Sequence, residues 1–328
     1  MKESIVQLKK AIEGNSKFLL INHIRMDPDA LWSLWGIYLL LEKLGKIVKA
    51  TNDEAMPENY MFLTPKKLIE PNLDVTAYNP DVIISLDAAS EDQLWTTFQK
   101  NKEIFSLKEF FVIDHHITNP WFWKYNIIDI QASSSCELVY EIIEQMWYQD
   151  LIDEAIATLL LAGIHTDTNT FYNKNTTPKT LQIASKLLEK WAKNKEIIFE
   201  FFRKKSFEKA KLWGNILKNI QKTLDGKVVW VTVKKNEFSN LSIGEQGLKW
   251  LLNEFLANIE GADIAFLLYE MGNPVEVKAS IRSNNDTVDV SKICQSFGWG
   301  GHKLAAWFTS EKSLEDVQNE LLWIFENI

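Results

Sequence analysis

The chain has 328 residues, enough for two domains with separate cores, and its 46% hydrophobic and 24% charged content is that of an ordinary soluble globular protein. A net charge of −8 excludes a broad basic face for coating long nucleic acid, but allows a short anionic substrate held by a metal and a few basic side chains. No apolar run reaches the ~18 residues of a membrane span, and residues 1–17 lack the apolar centre of a signal peptide, so no membrane partner and a cytoplasmic setting are expected.

Residues 5–12 have helical spacing, and Gly14-Asn15 is a stop signal. Residues 18–21 read as a short apolar strand running into Asn22-His23. Asp29 is placed to cap a helix with apolar positions over 31–44, which Gly45 ends. A second strand is expected at 47–50. Residues 52–80 carry Pro57, Pro65, Pro71 and Pro80 and no assignable element. Strands at 82–86 and 110–113 end in Asp87 and Asp114. Ser133-Ser134-Ser135 precedes a helix over 136–146, and further helices cover 154–163 and 178–192, with Pro178 in the first turn of the last. Strands separated by helices, with polar residues at their ends, indicate a parallel sheet in a doubly wound α/β domain over 1–192. Residues 193–226 form a charged connector, helical and without a strand signal. Over 227–328 a second, smaller α/β domain has strands at 228–233, 264–269 and 275–281 and helices at 246–258, 290–296 and 314–325. Cys136 and Cys294, both in helical contexts, form no disulfide framework and agree with a reducing compartment.

The chemistry lies at strand ends, where open α/β sheets bind ligands. Asp114-His115-His116 closes the apolar run Phe110-Phe111-Val112-Ile113 and serves no packing purpose, since a buried charge costs several kcal/mol unless paired or bound to metal. There are five histidines, His23, His115, His116, His165 and His302, each beside an acid-rich or glycine-rich cluster. His23-x-x-x-Asp27-x-Asp29 follows the first strand, where an imidazole and two alternate carboxylates can converge on hard divalent cations. Asp87, at the end of the third strand, and Asp167, in Gly163-Ile164-His165-Thr166-Asp167-Thr168, add two more carboxylates. Each alone has a plainer reading as a cap or turn residue. Together they exceed what one metal needs, and two metals ~3.5–4 Å apart would neutralise them and perform phosphoryl hydrolysis. In the second domain, Ser280-Ile281-Arg282-Ser283 and Gly298-Trp299-Gly300-Gly301-His302-Lys303 suggest an anion site, a glycine-rich turn running into a helix with Arg282, His302 and Lys303 as cations.

The order His23/Asp27/Asp29, Asp87, Asp114-His115-His116, Asp167 and Gly298-x-Gly-Gly-His302 resembles the DHH phosphoesterase superfamily, most closely its stand-alone nanoRNase/pAp phosphatase group. The resemblance implies a DHH catalytic domain, a DHH-associated substrate-binding domain and an active site in the cleft between them. It implies two divalent cations, manganese above all. His23, Asp27 and Asp87 would hold one; Asp29, Asp87, His115 and Asp167 would hold the other, with Asp87 bridging. His116 would contact the phosphate or protonate the leaving oxygen, and Asp114 would orient the histidines. Arg282, Ser283, Gly298, Gly300, Gly301, His302 and Lys303 would bind the substrate. The implied reaction is a two-metal hydroxide attack on phosphorus. It would release nucleoside monophosphates from short RNA, and AMP from 3′-phosphoadenosine 5′-phosphate (pAp). The resemblance also suggests a homodimer. Alternatives are a cyclic-dinucleotide phosphodiesterase, an inorganic pyrophosphatase, and a non-catalytic nucleotide- or RNA-binding protein.

One departure stands out. The family writes glycine where this chain has Trp32, Trp299 and Trp307, with Trp123 and Trp191 as weaker cases of the same exchange. Glycine serves such loops through positive φ or close backbone approach, and an indole allows neither cheaply. Three readings follow: a remodelled or inactive nucleotide site, indoles that stack bases, or UGA codons that the source reads as glycine. Glycine and tryptophan each number 13; together they make about 8% of the chain, near the ~7% usual for glycine alone, which favours the third.

Overall fold

The computed structural model describes residues 1–327 except 57–59, 64–68, 72, 224, 239–243 and 273, and residues 95 and 244–246 by their backbone alone. The chain divides into two compact units, Met1–Lys204 and Lys205–Ile328.

The first unit runs α1 (Lys2–Gly14), β1 (Lys17–Asn22), α2 (Pro28–Lys43), β2 (Ile47–Thr51), α3 (Val75–Tyr78), β3 (Val82–Leu86), α4 (Trp95–Lys100), α5 (Lys102–Leu107), β4 (Glu109–Asp114), β5 (Tyr125–Ile128), α6 (Ser135–Gln145), α7 (Glu154–Asp167), α8 (Pro178–Glu189) and α9 (Asn194–Ile198). Its five strands are all parallel, in the order β2-β1-β3-β4-β5. Alternate residues of each strand enter opposite cores, as the two-residue period of a strand requires. Phe18, Leu20, Ile84, Phe111 and Ile113 pack among α1, α2, α6, α7 and α8, while Leu19, Ile21, Ile83, Phe110 and Val112 pack against Phe98 and Phe105 of α4 and α5. With both faces covered, the strands read as continuous apolar runs. α2 is buried almost all round from Asp29 to Tyr38 and crosses α7 where Gly36 meets Leu160; a Cβ at Gly36 would lie 2.8 Å from Leu160 Cδ2.

The second unit runs α10 (Phe207–Leu217), β6 (Gln221–Lys222), β7 (Val228–Val233), α11 (Gly244–Glu254), β8 (Ile264–Met271), β9 (Glu276–Ser283), α12 (Val290–Ser296), β10 (Gly300–His302), β11 (Ala305–Ser310) and α13 (Leu314–Glu326). Its sheet has the order β10-β11-β9-β8-β7-β6, and only the β7–β8 pair is parallel. One face, with Phe266, Ala279, Ile281 and Phe308, packs on α12 and α13; the other, with Val229, Leu267 and Tyr269, packs on α10 and α11.

Several expectations change. α7 does not stop at Gly163 but continues to Asp167, placing that carboxylate on a helix end. Strands β5, β10 and β11 were not expected, nor were α4 and α5. The segment read as a strandless connector contains β6, which pairs with β7. The glycine-rich run does not enter a helix: it leaves α12 and enters the β10–β11 hairpin, because the alternation of buried Ala306 and Phe308 with exposed Trp307 has a strand period. Pro57 and Pro65 lie outside the described residues.

Candidate metal centre

Sheet order 2-1-3-4-5 reverses direction between β1 and β3, and ligands of doubly wound sheets sit at that switch point, beyond the carboxyl ends of the strands. His23 follows β1, Asp87 follows β3 and Asp114 ends β4, so topology alone gathers these residues. Asp27 is the N-cap of α2, where its Oδ1 accepts the Ala30 N–H at 3.0 Å. Asp29, expected to cap this helix, is instead its second residue and is buried.

The imidazoles are aimed by the backbone. His23 Nδ1 lies 2.6 Å from the Ile24 carbonyl and His115 Nδ1 lies 3.3 Å from the Ala132 carbonyl. A carbonyl only accepts, so each Nδ1 donates and each Nε2 faces inward. That is the arrangement of a metal-binding imidazole. His23 Nε2 stands 3.9 Å from Asp27 Oδ1 and 3.5 Å from Asp87 Oδ2. His115 Nε2 stands 3.9, 3.6 and 3.3 Å from Asp29, Asp87 and Asp167. Among the described residues three sets of potential ligand atoms each fall within 4.8 Å: His23/Asp27/Asp87, Asp29/His115/Asp167 and Asp87/His115/His116. Asp87 and His115 each belong to two of the sets, which makes the cluster continuous.

The electrostatics are those of a crowded anionic site. Burial, then the charges of Asp87 and Asp27, push Asp29 well above the carboxylate range. Burial and the charges of Asp29, Asp27 and Asp87 do the same to Asp167. Burial works against a charged His23, but Asp27 and Asp87 outweigh it and push the imidazole up to about 10. These donors fit divalent cations: oxygen and imidazole ligands, inward Nε2 atoms and an excess of negative charge that a cation would relieve.

Asp114 is fully buried and accepts from the His115 N–H (2.9 Å), His116 Nδ1 (2.7 Å) and Asn119 Nδ2 (2.7 Å). The Asp114 hydrogen bond, opposed by burial, pushes His116 up to about 9. Sequence reasoning missed Ser135 and Cys136, whose N–H groups at the start of α6 donate to Asp29 at 2.6 and 3.0 Å, while the Ser135 hydroxyl donates to Asp87 at 2.8 Å. The signal was the Ser133-Ser134-Ser135 run, read only as a helix start. His165 does not join the site: its Nε2 meets Asn194 Oδ1 at 2.7 Å and its ring tilts on Phe171.

Gly163 lets α7 close on this carboxylate. A Cβ there would lie 2.2 Å from Cys136 Sγ and 2.7 Å from Asp29 Oδ1. Gly163→Ala is therefore expected to destabilise the fold by ~1–3 kcal/mol, and to cut activity by more than that loss explains. Denaturant melts beside rates on the folded fraction check this.

In the second unit, Arg282, Ala305 and His302 occupy one row across β9, β11 and β10, and paired residues share a face. Lys278, Ser280 and Trp307 lie on that face too. Trp299 packs on Trp307 with ring centres 4.6 Å apart, and Lys278 Nζ sits 4.6 Å from the Trp307 ring. His302 and Lys303 are exposed; Arg282 is half-buried and donates to Asn253 Oδ1. Ser283 is buried, with its hydroxyl given to the Asn285 carbonyl. Gly298 and Gly301 carry positive φ (80° and 153°), whereas Gly300, Trp299 and Trp307 do not.

Residues 17–164 match the DHH family, N-terminal domain, and residues 225–327 match the DHHA1 domain. The chain is 28% identical to the bifunctional oligoribonuclease and PAP phosphatase NrnA of Thermus thermophilus, over 97% of this chain and 93% of that protein. It is 24% identical to the protein of the same name from Bacillus subtilis, over 95% and 97%. The fold is that of an exopolyphosphatase-related protein from Bacteroides fragilis, with a TM-score of 0.86 and 23% identity over 100% of this chain and 96% of that one. No helix among the described residues is long and apolar enough to cross a membrane.

Proposed function

The chain is a DHH-family phosphoesterase, and from that premise we propose that it hydrolyses short oligoribonucleotides to nucleoside monophosphates and pAp to AMP, using two manganese ions. The observation that carries this is the continuous cluster in which Asp87 and His115 each join two ligand sets, in a chain similar over nearly its whole length to oligoribonuclease and PAP phosphatases. His23, Asp27 and Asp87 would hold one ion, and Asp29, Asp87, His115 and Asp167 the other. Bound cations would supply a water of lowered pKa and neutralise the charge developing on the phosphoryl oxygens.

The protein's own groups do the rest. Asp114 fixes His116 through Nδ1, which leaves Nε2 as the proton donor to the leaving oxygen, so the P–O bond breaks without expelling an alkoxide. Ser135 and Cys136 hold Asp29 and Asp87 in place. Arg282, His302 and Lys303 bind the substrate's phosphate, with Gly298, Gly300 and Gly301 allowing the close approach of the backbone.

A panel with manganese tests the reading: pAp, RNA dimers to pentamers, cyclic di-AMP and pyrophosphate. Turnover of the short RNAs and pAp is expected. Turnover of cyclic di-AMP or pyrophosphate alone would reassign the substrate, and no turnover of any would sink the proposal.

A further inference from the structure

We infer that positions 121, 147 and 191 are built for glycine, and that the protein made in its own cells carries glycine there. Among the described residues nine non-glycine residues have left-handed φ, and three of them are tryptophans: Trp121 (58°), Trp147 (65°) and Trp191 (66°). Asparagine and aspartate tolerate that region through their short polar side chains; for an indole it is an outlier.

Two of the three have internal controls. After α6, the Trp147 N–H donates to the Glu144 carbonyl and the Tyr148 N–H to the Ile143 carbonyl. After α8, the Trp191 N–H donates to Leu188 and the Ala192 N–H to Leu187. Each is a Schellman motif, with tryptophan at the left-handed position where helices commonly place glycine. The same paired bonds close α2, through Gly45 to Glu42 and Lys46 to Leu41, and α12, through Gly298 to Gln295 and Trp299 to Cys294. In those two the left-handed residue is glycine, with φ of 74° and 80°. A Cβ at Gly45 or Gly298 would meet no atom of this chain within 4 Å, so within the fold it is the φ that calls for glycine.

Trp121 follows Pro120 in a loop, where its N–H donates to Asn119 Oδ1 at 2.9 Å and its φ is left-handed. The side chains contribute little in return, for Trp147 and Trp191 are 77% and 81% exposed. Other tryptophans differ. Trp213 is buried and donates to the Gly247 carbonyl, Trp230 stacks on Phe266, and Trp123 packs on Phe98 and Phe110. A tryptophan count that equals the glycine count, with tryptophan found in part at glycine geometry, is what UGA codons decoded as glycine produce when read as tryptophan.

The test is peptide mass spectrometry on protein isolated from the source cells, beside the gene's codons. Glycine at 121, 147 and 191 from UGA, with tryptophan at 213 and 230 from UGG, is expected; tryptophan in any of the first three peptides overturns the inference. A second readout uses protein made with tryptophan at every position. Trp147→Gly and Trp191→Gly should each raise Tm by roughly 2–4 °C, and a fall in Tm for either would equally refute the assignment. Neither measurement depends on the activity proposed above.

Discussion

Asp87→Asn is expected to lower phosphoester hydrolysis by at least roughly 10³-fold, about 4 kcal/mol of transition-state stabilisation, while the protein stays folded. Asp87 joins two of the three ligand sets, so its loss would disturb both cations. Asparagine is the informative replacement because position 87 has φ of 56°, which asparagine adopts more easily than most residues. Asparagine also keeps an oxygen to accept the Ser135 hydroxyl. The charge of Asp87 raises the pKa of both Asp29 and Asp167, so neutralising it relieves repulsion in the cation-free protein. That relief is set against the loss of Asp87's interactions with His23 and His116, so stability without metal should change little as activity collapses, the trade expected of a site kept for function rather than for folding. Parallel rate and melting measurements decide. A melt that falls with the rate would make Asp87 a structural residue and remove it as the shared ligand.

How much of this was legible before the fold was known depended on the range of each interaction. The strands announced themselves because a sheet buried on both faces needs unbroken apolar runs, and the polar residue closing each run marked the site. Asp29 was visible as a carboxylate, but its anchoring was not. The N–H groups that hold it belong to Ser135 and Cys136, more than a hundred positions away, and backbone donors leave no trace in residue identity. β5 is short and at a sheet edge, so Tyr125-Asn126-Ile127-Ile128 gave too little pattern to identify. The glycine-rich run was read for anion chemistry and given a helix, because Ala305-Ala306-Trp307-Phe308 is apolar throughout and its strand alternation exists only in burial. His165 illustrates the converse: a histidine beside an aspartate in sequence points elsewhere once both lie on one helix.

Removing divalent cations is the second large effect. Unloaded, the site holds Asp29, Asp87 and Asp114 essentially buried, with Asp167 beside them, and keeps His23 and His116 protonated up to about 10 and 9. Those raised histidine values stabilise the chelated protein fully below the unfolded histidine pKa of about 6.5, and that stabilisation is lost as pH rises through about 9–10. Asp29 and Asp167, raised as well, act in the same direction from lower pH. The EDTA-treated protein should therefore melt lower at about pH 9 than at about pH 6. Cations compete with these protons, so manganese should stabilise more at the higher pH and flatten or reverse the trend. At a hundredfold excess over Kd the gain is about 2.7 kcal/mol per independent site, a shift in Tm of several degrees. Thermal melts at both pH values, with EDTA and then with manganese, measure it. A chelated protein whose Tm ignores both pH and manganese would mean that these carboxylates and imidazoles do not hold a cation.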